Sequence, residues 1–204
     1  MSALETIAVA TSFLAIWLTA RRNMLCWPLN LVACALYFKL FLDVRLYADM
    51  VLQAVFGIGI LYGWIAWSRN RHGPGAVEAA VGAAVEVMPL SLARALAGLV
   101  VGACGALAIG WFTSRHTDAT LPWMDATLSS FSLVAQYWTA RRHRENWLLW
   151  IAVDIAYVGM FLFKGLLLTA GLYAAMIGLA VIGYRDWRRT RRPGSPGDHA
   201  TTKD

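Results

Sequence analysis

A single carboxylate stands inside an apolar stretch of this chain, between aromatic side chains at helical spacing. Trp147, Trp150, Asp154 and Tyr157 occupy positions i, i+3, i+7 and i+10, which share one face of a helix. Two indoles can bracket a flat ring and attract a cation, and a carboxylate can accept hydrogen bonds from hydroxyls or balance a positive charge. Ionisable groups within apolar spans cost about 2.5–3.5 kcal/mol each to insert and mark function. This face therefore predicts a binding site for a small molecule.

A structural interpretation of the same face stays open. Tryptophans gather at membrane interfaces, and Asp154 could bond a neighbouring helix. The interfacial belt accounts for Trp147 but leaves Asp154 unexplained, which favours the binding face. Gln136, in the middle of another apolar run, could either bind a polar group or tie helices together. Asn30 and Gln53 are further polar positions, in the first half of the chain.

Neither catalysis nor metal binding is indicated by the remaining polar residues. The three cysteines lie in or beside apolar runs without the spacing of metal ligands, and the four histidines fall in polar loops or the tail. An enzyme needs a nucleophile, a base or metal ligands that converge. We therefore expect no catalytic residue, no metal, no cofactor and no enzymatic activity.

The composition predicts the elements that must hold these residues. Of the 204 residues, 59% are hydrophobic and 15% are charged, with a mean hydropathy of +0.54, whereas a typical soluble domain has about 25% charged residues. This predicts an integral protein of the lipid bilayer. The net charge of +6 lies in short clusters between the apolar runs, the pattern of topology signals. It therefore does not predict nucleic-acid binding.

Seven apolar runs, each long enough for a membrane helix, cover residues 4–20, 27–42, 46–67, 89–112, 123–140, 147–167 and 168–187. Arg21 and Arg22 follow the first run, whereas a secretory signal carries its charges before it, so we expect a retained helix with its N-terminus outside. Seven crossings then place 14 basic residues inside and 4 outside, a strong positive-inside bias. The C-terminus is expected to be cytoplasmic.

An internal repeat relates the first three runs to the last three. The segment 19–22 recurs at 139–142, Asn23 and Trp27 recur as Asn146 and Trp150, and 46–50 recurs at 172–176, so the separation drifts from 120 to 126. Both copies have the same orientation, so a connecting helix must lie between them. The fold class predicted is all-α: seven transmembrane helices in a 3+1+3 arrangement of parallel three-helix repeats, as in SWEET-type transporters.

This plan divides the chain into five segments. They are a first repeat (1–67), a cytoplasmic linker (68–88), a connecting helix with its outer loop (89–122), a second repeat (123–187) and a basic, disordered tail (188–204).

The sequence Trp147-x-x-Trp150-x-x-x-Asp154 resembles the W-x-x-W-x-x-x-N/D signature of the PnuC family of bacterial vitamin transporters. Its setting is also similar, with Glu145-Asn146 before it, Tyr157 and 164–166 after it, and Gly183-Tyr184-x-x-Trp187 near the end. In the first half, 27–30 and 61–64 resemble the family as well. The similarity covers residues 4–190.

The resemblance implies a protein of the bacterial inner membrane that carries nicotinamide riboside by facilitated diffusion, for NAD biosynthesis. A separate riboside kinase would trap the product inside, and the chain would form a homo-oligomer, by resemblance a trimer. The substrate-binding residues expected are Trp147, Trp150, Asp154, Tyr157, Gln136, Gln53 and Asn30. Thiamine or riboflavin, carried by related members, remains an alternative substrate. A receptor or scaffold subunit that transports nothing is the alternative function.

Overall fold

The structure, a computed structural model, describes residues 3–43, 47–69, 87–117, 121–163 and 167–189. Within these ranges the chain forms seven α-helices: α1 Ala3–Ala20, α2 Cys26–Asp43, α3 Tyr47–Arg69, α4 Leu92–His116, α5 Pro122–Ala140, α6 Asn146–Phe163 and α7 Leu167–Arg189. Each corresponds to one predicted run, and every end lies within four residues of its predicted position. Most of the predicted linker and tail, residues 70–86 and 190–204, lies outside the described residues.

Two of these helices, α4 and α6, are long and apolar enough to cross a bilayer by length and composition alone. Shorter apolar stretches occupy Thr6–Ala20 of α1 and Cys26–Leu40 of α2. Many large apolar side chains point outward, among them Val101 on α4 and Ile155 on α6, which are 66% and 57% exposed. An outer surface of this kind suits a lipid environment.

The turns after α1 and α5 have the same backbone geometry. Arg22 and Arg142 have positive φ angles of 57° and 62°. The Arg22 N–H donates to Thr19 O at 2.9 Å and the next N–H donates to Leu18 O, also at 2.9 Å, which is the Schellman pattern of a helix C-terminus. The turn at Arg142 repeats this pattern. A left-handed residue therefore reverses the chain in a short connection and sets α2 against α1 and α6 against α5.

Six of the helices form a closed ring. In chain order, α1 packs on α2, α2 on α3, α3 on α5, α5 on α6, α6 on α7, and α7 closes the ring on α1. Among the described residues, α4 packs on α5 alone and lies outside this ring. The ring therefore has an interior lined by both halves of the chain.

The α4–α5 contact is a close seam built on small residues. A Cβ placed on Gly98 would lie 2.7 Å from the Trp138 ring, and one on Gly102 would lie 2.7 Å from the Phe131 ring. The Ser130 hydroxyl donates to the Gly102 carbonyl at 2.8 Å. Small residues that let helices approach, with a hydroxyl bonded across the seam, are typical of helix packing in membranes.

The fourth helix begins later than the sequence predicted, at Leu92 instead of Pro89, because Ser91 caps it by accepting from Arg94 N. The preceding residues dock on the α5–α6 turn: Met88 N donates to Arg142 O, and Leu90 N donates to Glu145 Oε2, both at 3.0 Å. Residues 87–91 thus form a strap that leads into α4, and its first two residues belong to the predicted linker.

Corresponding elements of the two halves are separated by a constant number of residues in the sequence. Helices α2 and α6 each have 18 residues and begin at Cys26 and Asn146, which are 120 positions apart. Helices α3 and α7 each have 23 residues and begin at Tyr47 and Leu167, also 120 positions apart. The left-handed residues Arg22 and Arg142 share this separation.

Candidate substrate-binding site

Four tryptophans close one end of the ring. They come from the first turns of α2 and α6 and the last turns of α3 and α7, and they contact one another in the order Trp27, Trp67, Trp187 and Trp147. The ring centroids of successive members lie 5.1, 6.1 and 5.6 Å apart. All four side chains are buried. This tryptophan cluster joins the two halves and occludes this end of the ring interior.

Hydrogen bonds from the two central tryptophans cross between the halves. Trp67 Nε1 donates to Thr139 O at 3.3 Å, and Trp187 Nε1 donates to Ala20 O at 3.0 Å. The outer two indoles differ, because Nε1 of Trp27 and Nε1 of Trp147 are buried without a hydrogen-bond acceptor in the described part of the chain. A buried unmet donor is costly, so a bound polar molecule or water at this level would stabilise the site.

The outer indoles pack against glycines of the neighbouring helix. A Cβ on Gly183 would lie 2.6 Å from Trp147 Cε2, and one on Gly63 would clash with the Trp27 ring. Both positions are well inside the carbon–carbon contact distance of about 3.5–4.0 Å. Only glycine at these positions lets α7 and α3 approach the rings, so Gly183 fixes where the predicted site residue Trp147 lies.

Trp150 lies one turn deeper along α6 and is tied to α5. Its side chain is half-buried, and Nε1 donates to the Thr139 hydroxyl at 3.4 Å. Thr139 also accepts the Trp67 hydrogen bond through its carbonyl. Trp150 is therefore positioned by the same helix turn that anchors the tryptophan cluster, while part of its surface remains accessible.

Asp154 lies another turn along α6, about 10 Å from Trp147 by helical rise. Its side chain is 7% exposed. No hydrogen bond or ion pair joins this carboxylate to another residue in the ranges that the structure describes. A buried carboxylate without a compensating partner is strongly unfavourable, which makes Asp154 the leading candidate for contact with a bound molecule.

Three aromatic residues form a cluster beyond Asp154, on the side away from the tryptophan cluster. The rings of Tyr157 and Tyr173 have centroids 4.7 Å apart, and Phe161 packs against both. Tyr173, on α7, interacts electrostatically with Asp154 and Tyr157 on α6 and with Tyr37 on α2. Because α7 and α2 do not pack on each other in the described residues, Tyr173 lies in the interior of the ring.

The other three predicted residues lie on three other helices of the ring. Gln136 is half-buried on α5, and its Cγ is 3.4 Å from the point where a Cβ on Gly59 of α3 would stand. Gln53 is half-buried on α3. Asn30 is half-buried on α2, where its amide nitrogen donates to Cys26 O of its own helix at 2.8 Å. The four α6 residues thus share one helix, and within the described residues no hydrogen bond or ring contact joins them to these three.

Two residues that the sequence analysis did not assign belong to this region. Tyr173 stands beside Asp154 and Tyr157, and it is 120 positions from Gln53, so a constant repeat spacing would have indicated it. Asn146 is fully buried beside Trp147, and its Oδ1 finds no donor in the described residues. Asn146 directly precedes the two-tryptophan motif, and its polar amide at that position could have marked it as a site residue in the sequence.

The side chains of this candidate site are suited to recognising a small molecule. Indoles offer flat faces, Asp154 offers a negative charge, and Tyr157 and Tyr173 offer hydroxyls. Within the described residues no group of three or more His, Cys, Asp or Glu could hold a metal ion. Apolar helices closed in a ring around such a site suit a membrane transporter.

A family model described as "Nicotinamide mononucleotide transporter" matches residues 2–189. The chain belongs to this family, which confirms the resemblance carried by the Trp147–Asp154 motif and places the protein among multi-pass membrane transporters.

Known relatives fit this assignment. The chain is 25% identical to the nicotinamide riboside transporter PnuC of Escherichia coli (strain K12), over 94% of this chain and 87% of the relative. It is 29% identical to the riboflavin/roseoflavin transporter RibM of Streptomyces davaonensis, over 86% of this chain and 80% of the relative. The fold is similar to the crystal structure of the vitamin B3 transporter PnuC, with a TM-score of 0.71 at 23% identity, over 91% of this chain and 80% of that one.

Proposed function

We propose that this protein carries nicotinamide riboside across the inner membrane by facilitated diffusion, and that phosphorylation inside the cell drives net uptake. The observation that carries the proposal is the buried Asp154 carboxylate, which forms no hydrogen bond or ion pair within the described residues and lies near the Tyr157–Tyr173 ring pair. Nicotinamide riboside has a flat pyridinium ring with a positive charge, and its ribose is rich in hydroxyls. These groups match what the site offers.

The proposed contacts divide the substrate between two levels of α6. Once the tryptophan cluster opens, Trp147 and Trp150 stack on the pyridinium ring, where a cation–π contact contributes about 2 kcal/mol when desolvated. Asp154 accepts hydrogen bonds from ribose hydroxyls and offsets the positive charge. Tyr157 lines the ribose end, and Gln136, Gln53 and Asn30 supply amides from the facing helices during the transport cycle.

The charge of the site favours the riboside over the mononucleotide named in the family description. A phosphate group needs cationic or N–H-rich partners, and the seven proposed site residues include none with a positive charge. Asp154 would repel a phosphate instead. The same argument predicts that the substrate enters unphosphorylated, which is why a separate kinase inside the cell could trap it.

A parallel repeat gives this site a mechanism for access. We infer a 3+1+3 arrangement with α4 as the connecting helix, supported by the constant separation of 120 residues and the matching turns at Arg22 and Arg142. This spacing pairs Trp27 with Trp147, and not with Trp150 as the sequence comparison had it. Rocking of one repeat against the other is the usual transport motion of such folds, and it would open the tryptophan cluster.

The orientation follows from the basic clusters. With the N-terminus outside and the C-terminus in the cytoplasm, the tryptophan cluster closes the cytoplasmic side, so substrate leaves past it. The proposed assembly is a homo-oligomer, by family resemblance a trimer.

Riboflavin is the second candidate substrate, because the riboflavin/roseoflavin transporter is one of the chain's relatives at 29% identity. Its ring system is flat and its side chain carries hydroxyls, so stacking on the indoles would serve it too. Unlike the riboside, riboflavin has no positive charge for Asp154 to balance. Thiamine, a flat cation, shares that charge but lacks a ribose.

The test uses the purified chain alone in liposomes without an ion gradient. We expect labelled nicotinamide riboside to equilibrate across the bilayer, and to accumulate only when a riboside kinase and ATP are enclosed. Accumulation without the kinase that an uncoupler abolishes would contradict facilitated diffusion and make Asp154 a proton site. Equilibration of riboflavin in preference to the riboside would replace the substrate. No movement of any of the three vitamins would favour the receptor or scaffold alternative.

A further inference from the structure

A groove of about 730 Å³ runs along the outside of the ring, between α4 and α5. Its wall includes Gly98, Val101 and Ile109 of α4 and Val134 of α5, and its end includes Arg94 and Arg141. None of the seven proposed substrate-binding residues lines it. The groove is therefore separate from the site on α6, and its lining is apolar along the body and cationic at one end.

The cationic end is not neutralised by the protein. Arg94 and Arg141 are both exposed, and within the described residues neither guanidinium forms an ion pair with a carboxylate. Arg141 Nη1 donates to the Tyr62 hydroxyl at 3.4 Å, and this contact raises the pKa of its guanidinium. Burial lowers the pKa of the neighbouring His143 imidazole, and the positive charges of both arginines lower it further. Two positive charges thus converge on one end of the groove.

The dimensions fit the bilayer. From Arg94 to Ile109 the α4 wall extends about 22 Å by helical rise, and one leaflet of hydrocarbon is about 15 Å thick. With the arginines at the membrane surface, an acyl chain could lie along the groove over its full depth. Val101, at 66% exposed, lies in the middle of this path.

We propose that this groove binds one anionic phospholipid of the cytoplasmic leaflet, with its phosphate on Arg94 and Arg141 and an acyl chain along α4 and α5. Charge complementarity selects this occupant, because basic pockets between transmembrane helices on the cytoplasmic side bind anionic headgroups. A neutral lipid would leave the two guanidiniums uncompensated. A second copy of the chain would have to place carboxylates there.

The bound lipid would hold the strap before α4 in place. Arg94 is in the first turn of α4, and Arg141 precedes the turn on which Met88 and Leu90 dock. A phosphate shared by the two arginines therefore joins α4 to the second half of the ring, and we expect it to stabilise the fold without touching the substrate.

The experiment measures lipid binding to the delipidated full-length protein in detergent, by native mass spectrometry and thermal unfolding. The probes are phosphatidylglycerol, phosphatidylcholine with the same acyl chains, and glycerol 3-phosphate. We expect phosphatidylglycerol to bind in preference and to raise the unfolding temperature. Removing each guanidinium, in Arg94→Gln and Arg141→Gln, should weaken its binding about fivefold. Arg115→Gln, which removes one charge from the other end of α4, is the matched control and should change nothing.

A second pair of variants tests the groove itself. Val101→Trp should weaken binding of both phospholipids, whereas Leu107→Trp, on the same helix and also exposed but outside the groove, should not. The proposal fails if the arginine variants bind phosphatidylglycerol as the unmodified protein does, or if glycerol 3-phosphate competes as well as the lipid. It also fails if Val101→Trp changes the oligomeric mass while leaving lipid binding intact, because the groove would then be an interface between copies.

Discussion

The contact between Gly183 and Trp147 gives the sharpest test of how the site is positioned. In Gly183→Ala, the new Cβ would lie 2.6 Å from Trp147 Cε2, so the rigid indole must move by about 1 Å to reach normal contact. Overpacking of this kind costs about 1–3 kcal/mol. Alanine in place of glycine in a helix contributes up to about 1 kcal/mol in the opposite direction, so the net loss of stability is about 0–2 kcal/mol.

Gly178→Ala is the matched control, because it makes the same change on the same helix where nothing lies within 4 Å. It keeps the gain in helix propensity and lacks the clash. The difference between the two variants therefore isolates the displacement of Trp147, about 1–3 kcal/mol, which corresponds to roughly 2–12 °C in unfolding temperature. Gly63→Ala against Trp27, with Gly57→Ala as its open-space control, gives the corresponding pair in the first half.

The assay combines thermal unfolding in detergent with calorimetric titration of nicotinamide riboside. We expect Gly183→Ala to unfold at a lower temperature than Gly178→Ala and to bind the riboside more weakly, because the displaced Trp147 indole can no longer align with Trp150 on the substrate ring. Gly63→Ala should lose stability with a smaller loss of affinity, since Trp27 is not among the proposed substrate contacts. If Gly183→Ala equals Gly178→Ala in both stability and affinity, the reasoning about Trp147 is refuted.

Four further predictions concern other parts of the molecule. Trp150→Ala should weaken riboside binding by about 1–2 kcal/mol, the range for a lost stacking and cation–π contact. Trp111→Ala, on the outside of α4, should leave the calorimetric titration unchanged, and equal affinities of the two variants would mean that Trp150 has only a structural role. Asp154→Asn should keep measurable uptake in liposomes because an amide still bonds ribose hydroxyls. Asp154→Leu should abolish binding because those hydroxyls lose their partner, and full binding by this variant would remove Asp154 from the site. Burial lowers the pKa of His143 below its ordinary value of 6.5, so the unfolded chain takes up the proton first as the pH falls. The free energy of unfolding should therefore keep its full value above about pH 6.5 and decline below it. His143→Gln should flatten this decline in unfolding scans from pH 5 to 8, and an unchanged slope would contradict the role given to His143. In a cysteine-free background, Ser114→Cys should react with an impermeant thiol reagent from outside and Arg69→Cys only from inside; labelling of both from one side would overturn the proposed orientation.

Hydropathy and helical spacing determined the elements. Seven apolar runs correspond to seven helices, because a run of about 20 apolar residues buries its backbone polar groups most simply in a helix. The α6 face was also predicted from spacing alone, since the helical repeat puts Trp147, Trp150 and Asp154 on one side whatever packs against them. The start of α4 lies three residues later than predicted because Ser91 caps the helix. Capping is a local signal that hydropathy does not contain.

Contacts between distant segments were decided by the tertiary structure. That Tyr173 reaches Asp154, that Trp187 bonds Ala20, and that Arg94 and Arg141 share one groove all depend on which helices become neighbours in the ring. In lipid, apolar helix faces resemble one another, so the pairing is set by close steric fit, such as Gly183 against Trp147, and by a few hydrogen bonds. A linear pattern specifies which face a residue occupies, whereas fit between two surfaces selects the helix that this face meets.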